Sequence, residues 1–158
     1  MTLWKQEKPL YYWPKNGKLY LIFKIAKSLI HLTITDGEPF VRKDFFEIID
    51  NIILSCDVLK ISTKTNGFYT DRIKDFAPKL INKHKNVEFT LSISLDALER
   101  VHNTVRNFKG AYQKVLETID AMKAYKNQPN FFLRLASVLT KDNRYFLEDL
   151  LNKTSLSI

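Results

Sequence analysis

Apolar and polar positions change their period repeatedly along this chain, and each change marks a passage between helix and strand. From Leu19 onward, Ile22, Phe23, Ala26 and Leu29 recur at the three-and-four spacing of a single helix face. Ile30, Leu32 and Ile34 then alternate with His31, Thr33 and Thr35, the period of a strand with two unlike faces. The same switch recurs downstream. Phe45, Ile48, Ile49, Ile52 and Ile53 predict a helix, Leu59 and Ile61 a strand ending at Thr65-Asn66-Gly67, and Ile73, Phe76, Ala77, Leu80 and Ile81 a helix that Pro78 is placed to kink. The alternation is cleanest from Val87 to Leu95, where Val87, Phe89, Leu91, Ile93 and Leu95 oppose Glu88, Thr90, Ser92, Ser94 and Asp96. A helix from about Ala111 to Tyr125, a strand from Phe131 to Leu139 and a helix from about Tyr145 to Leu151 complete an αβαβαβαβα order.

Strands separated by single helices pair in parallel through right-handed crossovers, which leaves a doubly wound sheet or a β/α barrel. Central strands of a doubly wound sheet are covered on both faces and read as unbroken apolar runs. Here a polar row, His31, Thr33 and Thr35 in one strand and Ser92, Ser94 and Asp96 in another, stands opposite the apolar one. A barrel accommodates that row on an inner face lining water or a polar ligand, so the barrel is the better expectation. Four visible strands make it partial. Its open edges need cover, from self-association or from the segment ahead of the first helix. Residues 1–17 form that segment, an arm holding Trp4, Tyr11, Tyr12 and Trp13 and broken by Pro9, Pro14 and Asn16-Gly17; residues 18–158 form the domain.

Composition narrows the function. A chain of 158 residues, 45% hydrophobic, is of single-domain size, which excludes fibrous and disordered classes. Lys5, Glu7, Lys8 and Pro9 interrupt any secretory apolar core, and no stretch approaches the ~18 apolar residues of a bilayer span, so a soluble cytoplasmic protein without membrane contact is expected. The net charge of +8 favours phosphates, nucleic acid or an acidic partner. Lys79, Lys83, His84, Lys85, Lys123 and Lys126, with Tyr11, Tyr12 and Trp13 as stacking platforms, support an alternative reading as a basic module binding nucleic acid or protein. The same cations suit helix C-termini on a solvated face. His31 is expected on the inner face and His84 and His102 in solvent, none at metal-ligand spacing. No GxSxG, P-loop or GxGxxG is present, which removes α/β-hydrolase, phosphoryl-transfer and dinucleotide readings.

Ligands of parallel β/α structures bind at the carboxyl ends of the strands, and Gly37 and Gly67 stand at two such ends. Next to Gly37, Glu38 and Pro39 place a carboxylate suited either to an ammonium group or to capping the following helix. In this context IHLTITDGEPF, DFFEIIDNII, ISTKTNG, LSISLDALERVHNTVRNFKGAYQKVLETI and ASVLTKDN resemble, in order and spacing, the radical S-adenosylmethionine superfamily over about residues 18–153. The resemblance implies a partial parallel β/α barrel of that family's type. It also assigns Gly37, Glu38 and Pro39 to the amino group of S-adenosylmethionine, with Asp36 replacing the family's first glycine. Ser94 then corresponds to a ribose contact with Asp96 as its support, Arg106 to the arginine that pairs with the methionine carboxylate, and Asn66 and Val138 to the adenosine pocket.

The family's [4Fe-4S] cluster is held by CxxxCxxC, and this sequence has one cysteine, Cys56, which the pattern places at a helix end away from the ligand face as an ordinary thiol. No residue is therefore assigned a catalytic or metal-binding role. The expectation is a truncated or degenerate member that keeps a wall for S-adenosylmethionine, is not catalytic alone, and is completed, if at all, by a cluster-bearing partner chain.

Overall fold

Four parallel strands lie side by side in chain order. β1 (His31–Ile34) pairs with β2 (Lys60–Thr65), β2 with β3 (Glu88–Ser94), and β3 with β4 (Phe131–Ala136). The structure, a computed structural model, describes residues 28–35, 37–141, 143–146, 148–150 and 152. The expected arm at 1–17 and all but the end of the helix over Leu19–Leu29 lie outside them, as does Asp36. Between the strands run α1 (Phe45–Ser55), α2 (Thr70–Lys83), α3 (Glu99–Val105) and α4 (Ala111–Lys123). The chain thus forms an α/β fold, an open partial barrel with parallel strands.

The register fixes the two faces. Ile61, Phe89 and Phe131 share one row, and Thr63, Leu91 and Leu133 the next on the same side. Phe89, Leu91, Ile93 and Ile61 are completely buried there, in one core with Ile49 and Ile52 of α1, Ile73, Phe76, Leu80 and Ile81 of α2, and Val115, Ile119 and Met122 of α4. The opposite face carries Thr33, Ser62, Thr90 and Phe132 in one row and Lys64, Ser92 and Arg134 in another. Helices therefore cover the apolar face, and the polar face is the inner one, as the alternation predicts. His31 lies on it, its Nε2 3.1 Å from the Ser62 hydroxyl.

Three elements differ from expectation. α3 is an additional helix, so a simple αβ alternation gives way to two helices between β3 and β4. β4 stops at Ala136, because beyond it the Val138 N–H turns to the Asp96 carboxylate at 3.3 Å. The helix expected from about Tyr145 opens as a 3₁₀ turn, Arg144–Phe146. Pro78 sits inside α2, which nevertheless runs on to Lys83 with its buried stripe unbroken. Asp71 in its first turn and Lys83 in its last complement the helix dipole.

An aromatic run ties the strand ends to this core. Phe40 packs edge-on against Phe45 and Phe76, with centroids 5.2 and 5.4 Å apart, and Phe76 meets Phe89, which meets Phe131. Phe40, only 1% exposed, anchors the 3₁₀ turn Pro39–Val41 and thereby fixes the residue before it, Glu38.

Candidate functional site

At the carboxyl ends of the strands, the loop after β1 meets the loop after β2 through one carboxylate. The Thr65 hydroxyl donates to both Glu38 oxygens at 2.9 and 3.1 Å, the Asn66 N–H donates to Oε2 at 2.6 Å, and the Phe40 N–H donates to Oε1 at 3.2 Å. The last bond makes Glu38 the cap of the 3₁₀ turn, so the capping role open in the sequence is realised while the carboxylate still faces the strand ends. Burial dominates its acidity and raises its pKa above the usual glutamate value, against the lowering pull of the Asn66, Thr65 and Phe40 bonds and of the Arg106 charge. A carboxylate desolvated in this way gains from an incoming cation.

The loop after β2 is built to hold this donor set. Thr65 Oγ1 accepts the Gly67 N–H at 3.0 Å while donating to Glu38, and the Asn66 side chain accepts the Phe68 N–H at 2.9 Å. Gly67 takes φ +76, and a Cβ there would lie 3.1 Å from the side chains of Ile93 and Val115, so backbone conformation and close approach both require glycine. Its carbonyl accepts the Thr118 hydroxyl of α4 at 2.7 Å. Gly37 takes φ +62 beside Glu38.

Across the site stands a cation. Arg106 Nη2 lies 2.7 Å from Asp96 Oδ2, and its Nε is buried without a hydrogen-bond partner. Such a donor is costly unless a ligand accepts from it. Asp96 is 6% exposed: besides Arg106 it receives the Val138 N–H, and its backbone carbonyl accepts Asn143 Nδ2 at 2.9 Å. Ser94 is half-buried at the end of the inner row, paired with Ala136. Asn66 is buried, and Val138 is 69% exposed beside Asp96. The fold thus gathers Gly37, Glu38, Pro39 and Asn66 around one carboxylate, and Asp96, Arg106 and Val138 around another.

Two residues escaped the sequence reading. His102, expected in solvent, is wholly buried and accepts the Asp96 N–H at Nδ1 at 3.2 Å. Its pKa is lowered to about 4, by burial first and then by the Arg106 charge, against the raising pull of Asp96. Asn143 is 1% exposed and joins Thr140, Val138 and Asp96. Nothing in linear position distinguishes either from a surface residue, although His102 and Arg106, four apart, share a helix face. His84 is also enclosed, its Nε2 2.8 Å from Asp50.

Cys56 caps the C-terminus of α1, away from the strand ends, where burial and the neighbouring Asp57 push its thiol pKa up. Among the described residues, no group of three His, Cys, Asp or Glu side chains is placed to hold a metal ion. None of their helices is long and apolar enough to cross a membrane. On the Lys-rich face, Lys79, Lys83 and Lys123 are engaged by Asp75, Asp50 and Asp120.

Comparison with known proteins converges on one group. The family model described as the Radical SAM superfamily matches residues 9–144. The molybdenum cofactor biosynthesis protein moc-5 of Caenorhabditis elegans is 26% identical over 142 residues, 88% of this chain and 22% of the relative. A GTP 3',8-cyclase of Haemophilus ducreyi is 33% identical over 105 residues, 63% of this chain and 29% of the relative. Another from Campylobacter jejuni is 33% identical over 119 residues, 71% of this chain and 35% of the relative. The chain therefore spans about a fifth to a third of the length of these curated relatives.

Proposed function

Because this chain belongs to the radical SAM superfamily, we propose that it supplies the wall that binds the amino-acid end of S-adenosylmethionine. The observation that carries the reading is the pairing of opposite charges. The Glu38 carboxylate is fixed and desolvated, and the Arg106 charge bears on it while that guanidinium keeps a buried, unpartnered Nε. A zwitterion, with its ammonium on Glu38 and its carboxylate on Arg106, complements both. S-adenosylmethionine ends in that group, and Ser94 and Asn66 extend the wall toward its nucleoside. This chain's residues would bind and orient it; the family's radical chemistry would need, in addition, an electron from a cluster held elsewhere.

The family's iron-sulfur cluster does not fit the residues of this sequence. It takes about three thiolates, and the one cysteine is the cap of α1, at the opposite end of the strands. The thiolates of a complete enzyme are accordingly proposed to come from another segment or another polypeptide, with this chain not catalytic by itself. The relatives named as GTP 3',8-cyclases make a nucleotide the substrate class to try first, and Lys64 and Arg134 on the inner row offer cations to its phosphates.

Calorimetric titration tests the reading. S-adenosylmethionine is expected to bind the wild-type chain and to lose at least tenfold in affinity to Glu38→Ala, while 5'-methylthioadenosine, which lacks the amino-acid end, is indifferent to that change. Equal affinity of S-adenosylmethionine for wild type and Glu38→Ala, with both folded by circular dichroism, rejects it.

A further inference from the structure

Asp96 is held at each of its polar groups. Its N–H goes to His102 Nδ1, its C=O receives Asn143 Nδ2, and its carboxylate oxygens receive the Val138 N–H and Arg106 Nη2. Two of these partners, His102 and Arg106, lie one helical turn apart at the end of α3, so one helix grips one residue twice. Because Nδ1 accepts a backbone N–H, the proton of the neutral ring lies on Nε2, which is buried with no partner. An orphaned donor inside a protein is a standing cost, and the bond at Nδ1 is what the imidazole provides in return.

We propose that His102 is a positioning residue for ligand binding: by accepting the Asp96 N–H it sets the direction of the Asp96 carboxylate, which in turn holds the Arg106 guanidinium in the orientation that receives the ligand's carboxylate. The inference rests on the reading of Arg106 as the carboxylate-binding cation and adds to it a residue that touches no ligand. Filling space is the simpler role for a buried ring against Tyr112, whose centroid is 6.3 Å away. The two roles separate by where the acceptor sits. Asparagine at 102 presents its side-chain oxygen near the place of Nδ1, whereas glutamine, similar in chemistry and nearer in size to histidine, carries its amide out to the place of Nε2.

The experiment measures the affinity of wild type, His102→Asn and His102→Gln for S-adenosylmethionine and for its decarboxylated analogue, which keeps the ammonium and sulfonium and lacks the carboxylate. Wild type is expected to prefer the carboxylated ligand by about tenfold or more, His102→Asn to keep most of that preference, and His102→Gln to lose it with little change toward the analogue. A wild type without preference overturns the Arg106 reading and the proposal with it. A preference that survives in His102→Gln, or losses of equal size for both ligands, overturns the role of His102 alone. If neither variant folds, the ring ¹⁵N shifts of the wild type decide: a proton on Nδ1 leaves no acceptor for Asp96 and refutes the proposal, and an unprotonated Nδ1 whose shift moves when S-adenosylmethionine, but not the analogue, is added upholds it.

Discussion

Replacing Gly67 with alanine separates two reasons for a glycine, and the structure supplies magnitudes for both. At φ +76 an alanine is strained by about 1 to 2 kcal/mol. Its Cβ would also meet Ile93 Cγ2 and Val115 Cγ2 at 3.1 Å and the Val115 backbone at 3.4 Å, so these two fully buried side chains would have to shift by a few tenths of an ångström. Overpacking of this kind costs a further 1 to 3 kcal/mol or so. Gly110 is the internal control: it takes φ +90 with nothing within 4 Å of a Cβ, so its alanine variant bears the strain without the clash. Urea unfolding followed by circular dichroism should place Gly67→Ala about 2 to 5 kcal/mol below wild type, and Gly110→Ala about 1 to 2 kcal/mol below. Any gain from a stiffer unfolded chain is common to both and cancels in the comparison. Equal losses at the two positions would refute the close approach of the β2–α2 loop to β3 and α4, and with it the argument that this approach holds the Asn66 N–H on Glu38.

Two further outcomes follow from titration. His102 is neutral in the fold with a pKa of about 4, whereas the unfolded chain protonates it near 6.5, so stability should be full above about pH 6.5 and fall as the pH drops toward 4. The loss, of the order of 3 kcal/mol at most, should be visible as a slope in unfolding free energy over that window that flattens in His102→Asn. Glu38 is shifted the other way: its raised pKa means that protonation relieves the buried charge, so the weakening of S-adenosylmethionine binding on acidification should begin at a higher pH than an ordinary glutamate would give. Calorimetry in buffers of different ionisation enthalpy should detect proton release on binding in that range, and proton uptake there would contradict the assignment.

The parts legible in the sequence were those with a period. Alternation from Val87 to Leu95 foretold which side of β3 is buried, because a strand covered by helices on one face only must divide its residues that way. Glu38 and Asn66 were legible as motif residues at strand ends. α3 was not, since seven residues are too few to show a helical repeat. His102 was misjudged for the same reason: its depth depends on how the chain doubles back from Leu95 through Leu98, a tertiary event with no local signature. The end of β4 was set by Asp96, far off in sequence, and not by anything in Ser137 to Leu139.

The sequential order of the strands has a consequence for synthesis. His31 pairs with Lys60, Lys60 with Glu88, and Phe89 with Phe131, so among the described strands each one leaving the ribosome finds its neighbour already emerged, and none of them has to be inserted between two earlier ones. Local pairing of this kind closes modest loops one at a time and keeps the entropic barrier of each step low. A nascent chain with this order can add one β/α unit after another, its inner wall lengthening from the Glu38 side toward Arg106 as translation proceeds.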